Sequence, residues 1–322
     1  MNVGRTESRP RVAFVGSGGA TKGIAHIGAL KAMEELGIVP DIYVGASAGA
    51  IIGAFAAQGF KADELVGWIK PPWIPSWRSY RRGVLKGRHF FGLPNWGQLT
   101  KPGYLLSGML SIDRLERFLS DHLPENDFRK LAPTLIITAA DVDQSKRVVF
   151  GRGYVEEIPI SQAIAASSCV PVLFRPYRIG DRYYLDGEVV RTLSVDLAVE
   201  AGADVVVISN VYRPYITKPS EASVAVRGIG AVVRQSLNVV LSEKEKRGLD
   251  LIHKQYPHVT LLNVSADLGN FPFLSRTEGK ALLGRGYREA LRVLSAARLQ
   301  GVFESDPAAR SNVTPIQRTS SW

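Results

Sequence analysis

After ten mostly polar residues the chain enters an apolar run, Val12-Ala13-Phe14-Val15, followed by a glycine cluster, Gly16-Ser17-Gly18-Gly19-Ala20-Thr21-Lys22-Gly23. Apolar residues at helical spacing then run from Ile24 to Leu36 and stop at Gly37. A second short apolar run, Ile42-Tyr43-Val44, leads into Gly45-Ala46-Ser47-Ala48-Gly49 and a helical stretch from Ala50 to Phe55. Residues 11–60 therefore predict β-loop-α-β-α, the start of a parallel sheet covered by helices. Further on, the pattern predicts a capped amphipathic helix over 111–123, a continuous strand from Thr134 to Ala140 and a short one from Arg147 to Phe150. A helix from Ile160 to Ser168 stops before Pro171, and a brief strand, Tyr183 to Leu185, precedes Asp186-Gly187. A helix at Val195–Ala201, a buried strand at Val205–Val211, a long helix from Glu221 to Lys254, a strand at Val259–Val264 and a helix from Glu278 to Leu299 complete the order. No internal repeat is visible.

With 322 residues, 45% of them hydrophobic, the chain has apolar material for a sizeable core. The expectation is one α/β domain over 11–300, with flexible tails at 1–10 and 301–322, the latter rich in Ser, Pro, Thr and Arg. A single cysteine, Cys169, excludes an internal disulfide framework and a cysteine-based zinc site, and suits a reducing compartment. The polar N-terminus carries no apolar signal-peptide core, and no apolar stretch approaches the roughly 18 residues of a spanning helix. A cytoplasmic protein is expected, peripheral at the inner face of the membrane.

That peripheral expectation rests on charge. The formal net charge is +10, which either serves solubility or meets an anionic surface. Helix-turn-helix, zinc-finger and RNP-type signatures are absent from the sequence, so a membrane surface ranks above nucleic acid as partner. Residues 61–108 sharpen the point. Trp68, Trp73, Trp77 and Trp96 lie there with Tyr80, Phe90, Phe91 and Tyr104, interleaved with Lys70, Arg78, Arg81, Arg82, Lys86, Arg88 and Lys101. Tryptophan and tyrosine favour the headgroup layer, and each nearby Lys or Arg contributes about 1 kcal/mol at an anionic surface. The segment reads as a lid or membrane-contact element; the plainer alternative is a proline-broken excursion whose aromatics cover the core.

The chemistry centres on Ser47. Strand, Gly-x-Ser-x-Gly turn and helix form a nucleophile elbow, in which Gly45 and Gly49 let strand and helix pass closely while the hydroxyl points outward. The helix N-terminus behind it favours developing negative charge. A serine hydroxyl needs a base. Among the five histidines, His253 and His258 satisfy the Ser…His order of an α/β-hydrolase triad. That fold, however, places its elbow after several strands, whereas here only one strand precedes that of Ser47.

Gly18-Gly19-x-x-Lys22-Gly23, Gly45-x-Ser47-x-Gly49 and the distant Asp186-Gly187 together resemble the patatin-like phospholipase family, over roughly residues 11–211. The Ala25-His26-Ile27-Gly28 continuation and the Ala165-to-Pro176 stretch are similar too. The resemblance implies a three-layer α/β/α sandwich with a central mostly parallel sheet. It also implies a histidine-free dyad, with Ser47 as nucleophile and Asp186 as general base. Backbone N–H groups of Gly18, Gly19 and Ala20 would form the oxyanion hole, supported by Gly16, Lys22, Gly23, Gly45, Gly49 and Gly187. The implied substrate is a phospholipid or lysophospholipid, hydrolysed without metal or organic cofactor. Rival readings are a triacylglycerol lipase or thioesterase of the same mechanism, or a catalytically silent lipid-binding protein. Oligomeric state is not legible.

Two positions depart from the family pattern. Ala20 stands where a third glycine is usual, and alanine tolerates positive φ poorly. Glu188 follows Asp186-Gly187 where Gly or Ala is usual, placing a second carboxylate beside the base, to raise its pKa or to face solvent. Elsewhere plainer roles are expected: a packed helix position for His26, loop capping for Asp141 and Asp143, and a small core residue at Cys169.

Overall fold

The computed structural model describes residues 9–69, 108, 110–191, 193–211, 216–217, 220–268 and 279–304. Five parallel strands carry the fold: β1 (Val12–Gly16), β2 (Ile42–Gly45), β3 (Thr134–Asp141), β7 (Val205–Ser209) and β8 (Thr260–Val264). Three more, β4 (Lys146–Gly151), β5 (Tyr177–Ile179) and β6 (Arg182–Asp186), add antiparallel pairings. The order is β5-β6-β3-β2-β1-β7-β8, with β4 also on β3. Alternate residues of each central strand feed opposite layers. Phe14, Tyr43, Ile137 and Val207 point into one apolar cluster, and Val15, Val44, Ile136 and Ile208 into another. Continuous apolar runs with no polar face require helices on both sides, and the helices supply them.

The larger layer is covered by α1 (Ile24–Glu35), α2 (Ala48–Ala56), α5 (Ile160–Ser167) and α8 (Gly279–Leu299), through residues such as Ile27, Phe55, Ile164 and Leu294. The smaller is covered by α6 (Val195–Glu200) and by Ile252 of α7 (Ile229–Gln255). The larger layer also takes in α3 (Ala62–Ile69) through Leu65 and α4 (Asp113–His122) through Leu115 and Leu119. This is the expected α/β/α sandwich with a mostly parallel sheet.

One topological detail positions the site. Ile136 and Ile137 pair with both β2 and β4, while Ala139 to Asp141 pair with both β4 and β6. Since β4 takes one edge of β3 throughout, β2 and β6 must share the other edge. β2 is parallel to β3 and β6 antiparallel, so their C-terminal ends converge, Gly45 opposite Ile137 and Asp186 opposite Ala139.

Several expectations shift. The long helix from Glu221 is split: a 3-10 turn at Val224–Val226 is separated from α7 by Gly228, at φ +88°. Strand β5, three residues long, had no legible pattern. The α4 cap is displaced, with Ile112 at the N-cap position and the Ser111 Oγ accepting from the Asp113 N–H at 3.2 Å. Packing also passes both expected tail boundaries, since Arg9 pairs with Asp41 at 2.6 Å and Val302 is buried in the core. Of the 61–108 segment, residues 70–107 lie outside the described residues, as do 1–8 and 305–322.

Helices α1 and α8 cross at two glycines. A Cβ on Gly28 would stand 2.2 Å from the Leu283 carbonyl oxygen, and one on Gly286 2.2 Å from that of Ala25. Helix propensity alone favours alanine by about 1 kcal/mol, but backbone overlap opposes it more strongly. Gly28→Ala is therefore expected to lower stability by about 2 kcal/mol in denaturant unfolding; a stabilised variant would refute the close approach.

His26 links three elements from inside the fold. Its Nε2–H donates to the Ser17 carbonyl at 2.8 Å, which leaves Nδ1 to accept from the Ser209 hydroxyl at 2.7 Å. Burial lowers its pKa to about 4, against the smaller opposing effect of the Ser17 hydrogen bond. The unfolded chain binds this proton near pH 6.5 and the folded one only near 4, so acidification through that window favours unfolding. Wild-type stability should drop by about 3 kcal/mol more than that of His26→Gln between pH 7 and 4; equal slopes would refute the assignment.

Candidate active site

Ser47 occupies the sharp turn between β2 and α2, at φ +52° and ψ −119°. A serine in this region carries roughly 1–3 kcal/mol of backbone strain, which persists only where its surroundings fix it. They do so here. The Ser47 N–H donates to the buried Ser167 Oγ at 2.8 Å, and the Ala46 carbonyl accepts from the Gly49 N–H at 2.9 Å. A Cβ on Gly49 would fall 2.2 Å from the carbonyl oxygen of Gly16, so the helix can lie against the end of β1 only as glycine. Gly45 and Gly23 are similarly confined, by Gly49 and Ala48 respectively.

Asp186 ends β6 at the convergence point, buried to 4% exposure beside Ser47 at 6%. Its N–H donates to the Cys169 carbonyl at 3.0 Å, and its Oδ1 accepts from the Glu188 N–H at 3.0 Å. Gly187 makes this turn possible, because a Cβ there would meet the Thr138 carbonyl oxygen at 2.3 Å. Burial raises the Asp186 pKa to about 6; hydrogen bonds from the Glu188 N–H and the Ser47 side chain pull it the other way. Serine and carboxylate therefore meet, about 140 residues apart in sequence.

The glycine loop flanks them. A Cβ placed on Gly18 would lie 3.3 Å from that of Ser47, and one on Gly19 would strike Val211 at 2.4 Å. Ser17 anchors the loop: its N–H donates to the Ser209 carbonyl at 3.2 Å, and its Oγ accepts from the Val211 N–H at 3.1 Å. Ala20 stands at φ +47°, the left-handed region where a glycine would be unstrained. Half-buried Lys22 has its ammonium pKa lowered by burial, opposed by the field of Asp267.

Two further residues enter this site. Ser167 was not singled out from the sequence; nothing in an Ala-Ala-Ser-Ser run signals that its hydroxyl holds the Ser47 amide. Glu188 was noted as a departure only, yet its Oε1 accepts from the Gly18 N–H at 2.8 Å. Burial and the neighbouring Asp186 raise the Glu188 pKa to about 8. Behind it, Glu245 of α7 accepts from the Asn210 amide at 2.5 Å and is raised by burial to about 7.

The remaining candidates take the plainer roles. His26 is buried and neutral. Asp141 Oδ1 caps the following turn by accepting from the N–H groups of Asp143 and Gln144, at 3.1 and 2.9 Å. Cys169 is buried, and desolvation pushes its thiol pKa up. Among the described residues no three His, Cys, Asp or Glu side chains group as metal ligands.

An NTE family protein of Mycobacterium bovis is 28% identical over 204 residues, covering 63% of this chain and 49% of that protein, so the chain spans about half the length of this relative. The lysophospholipase NTE1 of Kluyveromyces lactis is 36% identical over 70 residues, covering 22% of this chain and 5% of that protein. Among solved structures, human GIVD cytosolic phospholipase A2 aligns at a TM-score of 0.44 and 12% identity, covering 94% of this chain and 60% of that one. A family model described as patatin-like phospholipase matches residues 14–199, more than half of the chain. The chain belongs to the patatin-like phospholipase family.

Proposed function

We propose that this protein hydrolyses carboxylic esters of phospholipids or lysophospholipids through an acyl-enzyme on Ser47, with Asp186 as general base. Family membership makes lipid-ester hydrolysis the class of activity. The observation that carries the finer reading is the meeting of a strained, elbow-borne serine with a buried carboxylate beside a glycine loop.

The chemistry follows from the geometry. The Ser47 Oγ attacks the ester carbonyl carbon as its proton passes to Asp186. The tetrahedral oxyanion is held by loop N–H groups, Gly18, Gly19 and Ala20 being the candidates, each well-aimed donor contributing about 3–4 kcal/mol in the transition state. Collapse expels the alcohol, which takes the proton from Asp186. Water, deprotonated by the same carboxylate, then releases the fatty acid and restores the serine. An ordinary carboxylate is too weak a base for this; one raised to about 6 is better matched to neutral pH while still largely ionised there. The substrate lies at a membrane surface, and the +10 net charge together with the aromatic, basic 61–108 segment supports peripheral binding there. Among the described residues no helix is long and apolar enough to cross a membrane.

Ser47→Ala should lower hydrolysis of p-nitrophenyl butyrate, and fatty-acid release from mixed phosphatidylcholine–phosphatidylglycerol vesicles, by at least about a thousandfold with the unfolding midpoint preserved. Unchanged turnover would end this mechanism. Release from triacylglycerol emulsions in preference to vesicles would favour the lipase reading.

Asp186→Asn should abolish turnover comparably while holding or raising the melting temperature. A carboxylate whose pKa rises on folding opposes the folded state above its unfolded pKa, and the amide removes that cost. In the wild type, kcat/KM should climb with pH through about 6 as Asp186 loses its proton. A profile flat from pH 5 to 7, or an active Asp186→Asn, would exclude Asp186 as base.

A further inference from the structure

Gly18 lies against Ser47, since a Cβ on it would stand 3.3 Å from the Ser47 Cβ, and its N–H is a donor an ester oxyanion would require. That N–H is taken, at 2.8 Å, by the Glu188 Oε1. The Glu188 side chain packs directly on Gly18, since a Cβ there would stand 2.6 Å from the Glu188 Cγ and 3.4 Å from its Cδ. A carboxylate oxygen on this amide mimics the charge and acceptor geometry of a tetrahedral oxyanion.

Building on the Ser47 reading above, we propose that Glu188 is an internal occupant of the oxyanion position: its carboxylate holds the Gly18 amide in the resting site and must withdraw before an ester carbonyl binds, so that it governs how fast Ser47 is acylated. Withdrawal is open to it. Glu188 sits on the short 3-10 turn Gly187–Val189, is itself half-buried, and adjoins the exposed Val189.

The groups facing Glu188 decide when it leaves. Asp186 from its own turn and Glu245 from α7 oppose its charge, together with burial, while the N–H groups of Gly18 and Leu193 favour it. Lys244, next to Glu245, is directed at the carbonyls of Val189 and Val190, at 3.2 and 2.7 Å. The loop's own cation, Lys22, is engaged electrostatically with Asp267. Ionised Glu188 binds the amide through a charge-assisted bond, roughly twice as strong as a neutral one, and also repels a neighbouring oxyanion. Protonated, it still accepts from the amide through its carbonyl oxygen, but more weakly, and it no longer repels the oxyanion. Acylation is accordingly faster while Glu188 keeps its proton and slows as pH rises through about 8.

The test measures kcat/KM for p-nitrophenyl butyrate from pH 6 to 9.5 in wild type, Glu188→Ala and Glu188→Gln. Wild type should decline on the alkaline side. Glu188→Ala should lose that decline and exceed wild type by about fivefold at pH 9, the worth of one hydrogen bond. Glu188→Gln, which keeps the shape without the charge, should also lose the alkaline decline. Variants that unfold at the wild-type temperature yet retain the decline, or run slower at every pH, overturn the proposal; a purely structural role for Glu188 leaves the profile unmoved. Independently, the Gly18 amide proton in 15N-glycine-labelled Ser47→Ala should titrate near pH 8 and stop titrating when Glu188→Ala is added. A Gly18 resonance indifferent to Glu188 refutes the contact. A wild type that hydrolyses no ester defeats the esterase reading, and the Gly18 resonance then still decides whether Glu188 occupies the amide.

Discussion

Two strands that run at each other along one edge of β3 are the constraint on which the site depends. β2 arrives parallel and ends at Gly45; β6 arrives antiparallel and ends at Asp186. The gap between them is one residue of β3, Thr138. A chain leaving β2 must turn at once, which places Ser47 on the elbow. A chain leaving β6 must turn over Thr138, which requires Gly187. Sheet hydrogen bonding thus fixes the relative position of two side chains that share no local sequence.

The surroundings of this meeting point work against stability. Ser47 and Ala20 both sit at positive φ without being glycine. Three carboxylates, Asp186, Glu188 and Glu245, are each raised above their usual range, burial being the leading cause in every case. Each would be more at ease in the unfolded chain at neutral pH. Such concentrations of backbone strain and desolvated charge persist where the rest of the fold over-determines them, and here the two apolar layers on either face of the sheet do so.

The sequence exposed the fold well where pattern and chemistry agreed. Apolar runs such as Val12–Val15 and Val205–Ile208 became central strands because residues buried on both faces admit no polar alternation. The glycines around Ser47 were legible because each removes a specific clash. β5 was not legible, since three residues of an edge strand carry no period. The break at Gly228 was hidden by helical residues on both sides of it. In the site, Ser167 and the Glu188–Gly18 contact escaped for one reason: they depend on register across 120 and 170 residues, which no local pattern encodes. Glu188 was visible as an oddity, but only the fold turns its carboxylate toward the loop.

The central claim is that the converging strands make Ser47 a nucleophile by means of Asp186. Its most direct measurement is peptide mapping by mass spectrometry after brief exposure to a fluorophosphonate. A single adduct on the Ser47 peptide is expected in the wild type, formed far more slowly in Asp186→Asn. An adduct on another residue, or equal labelling of both proteins, would contradict it.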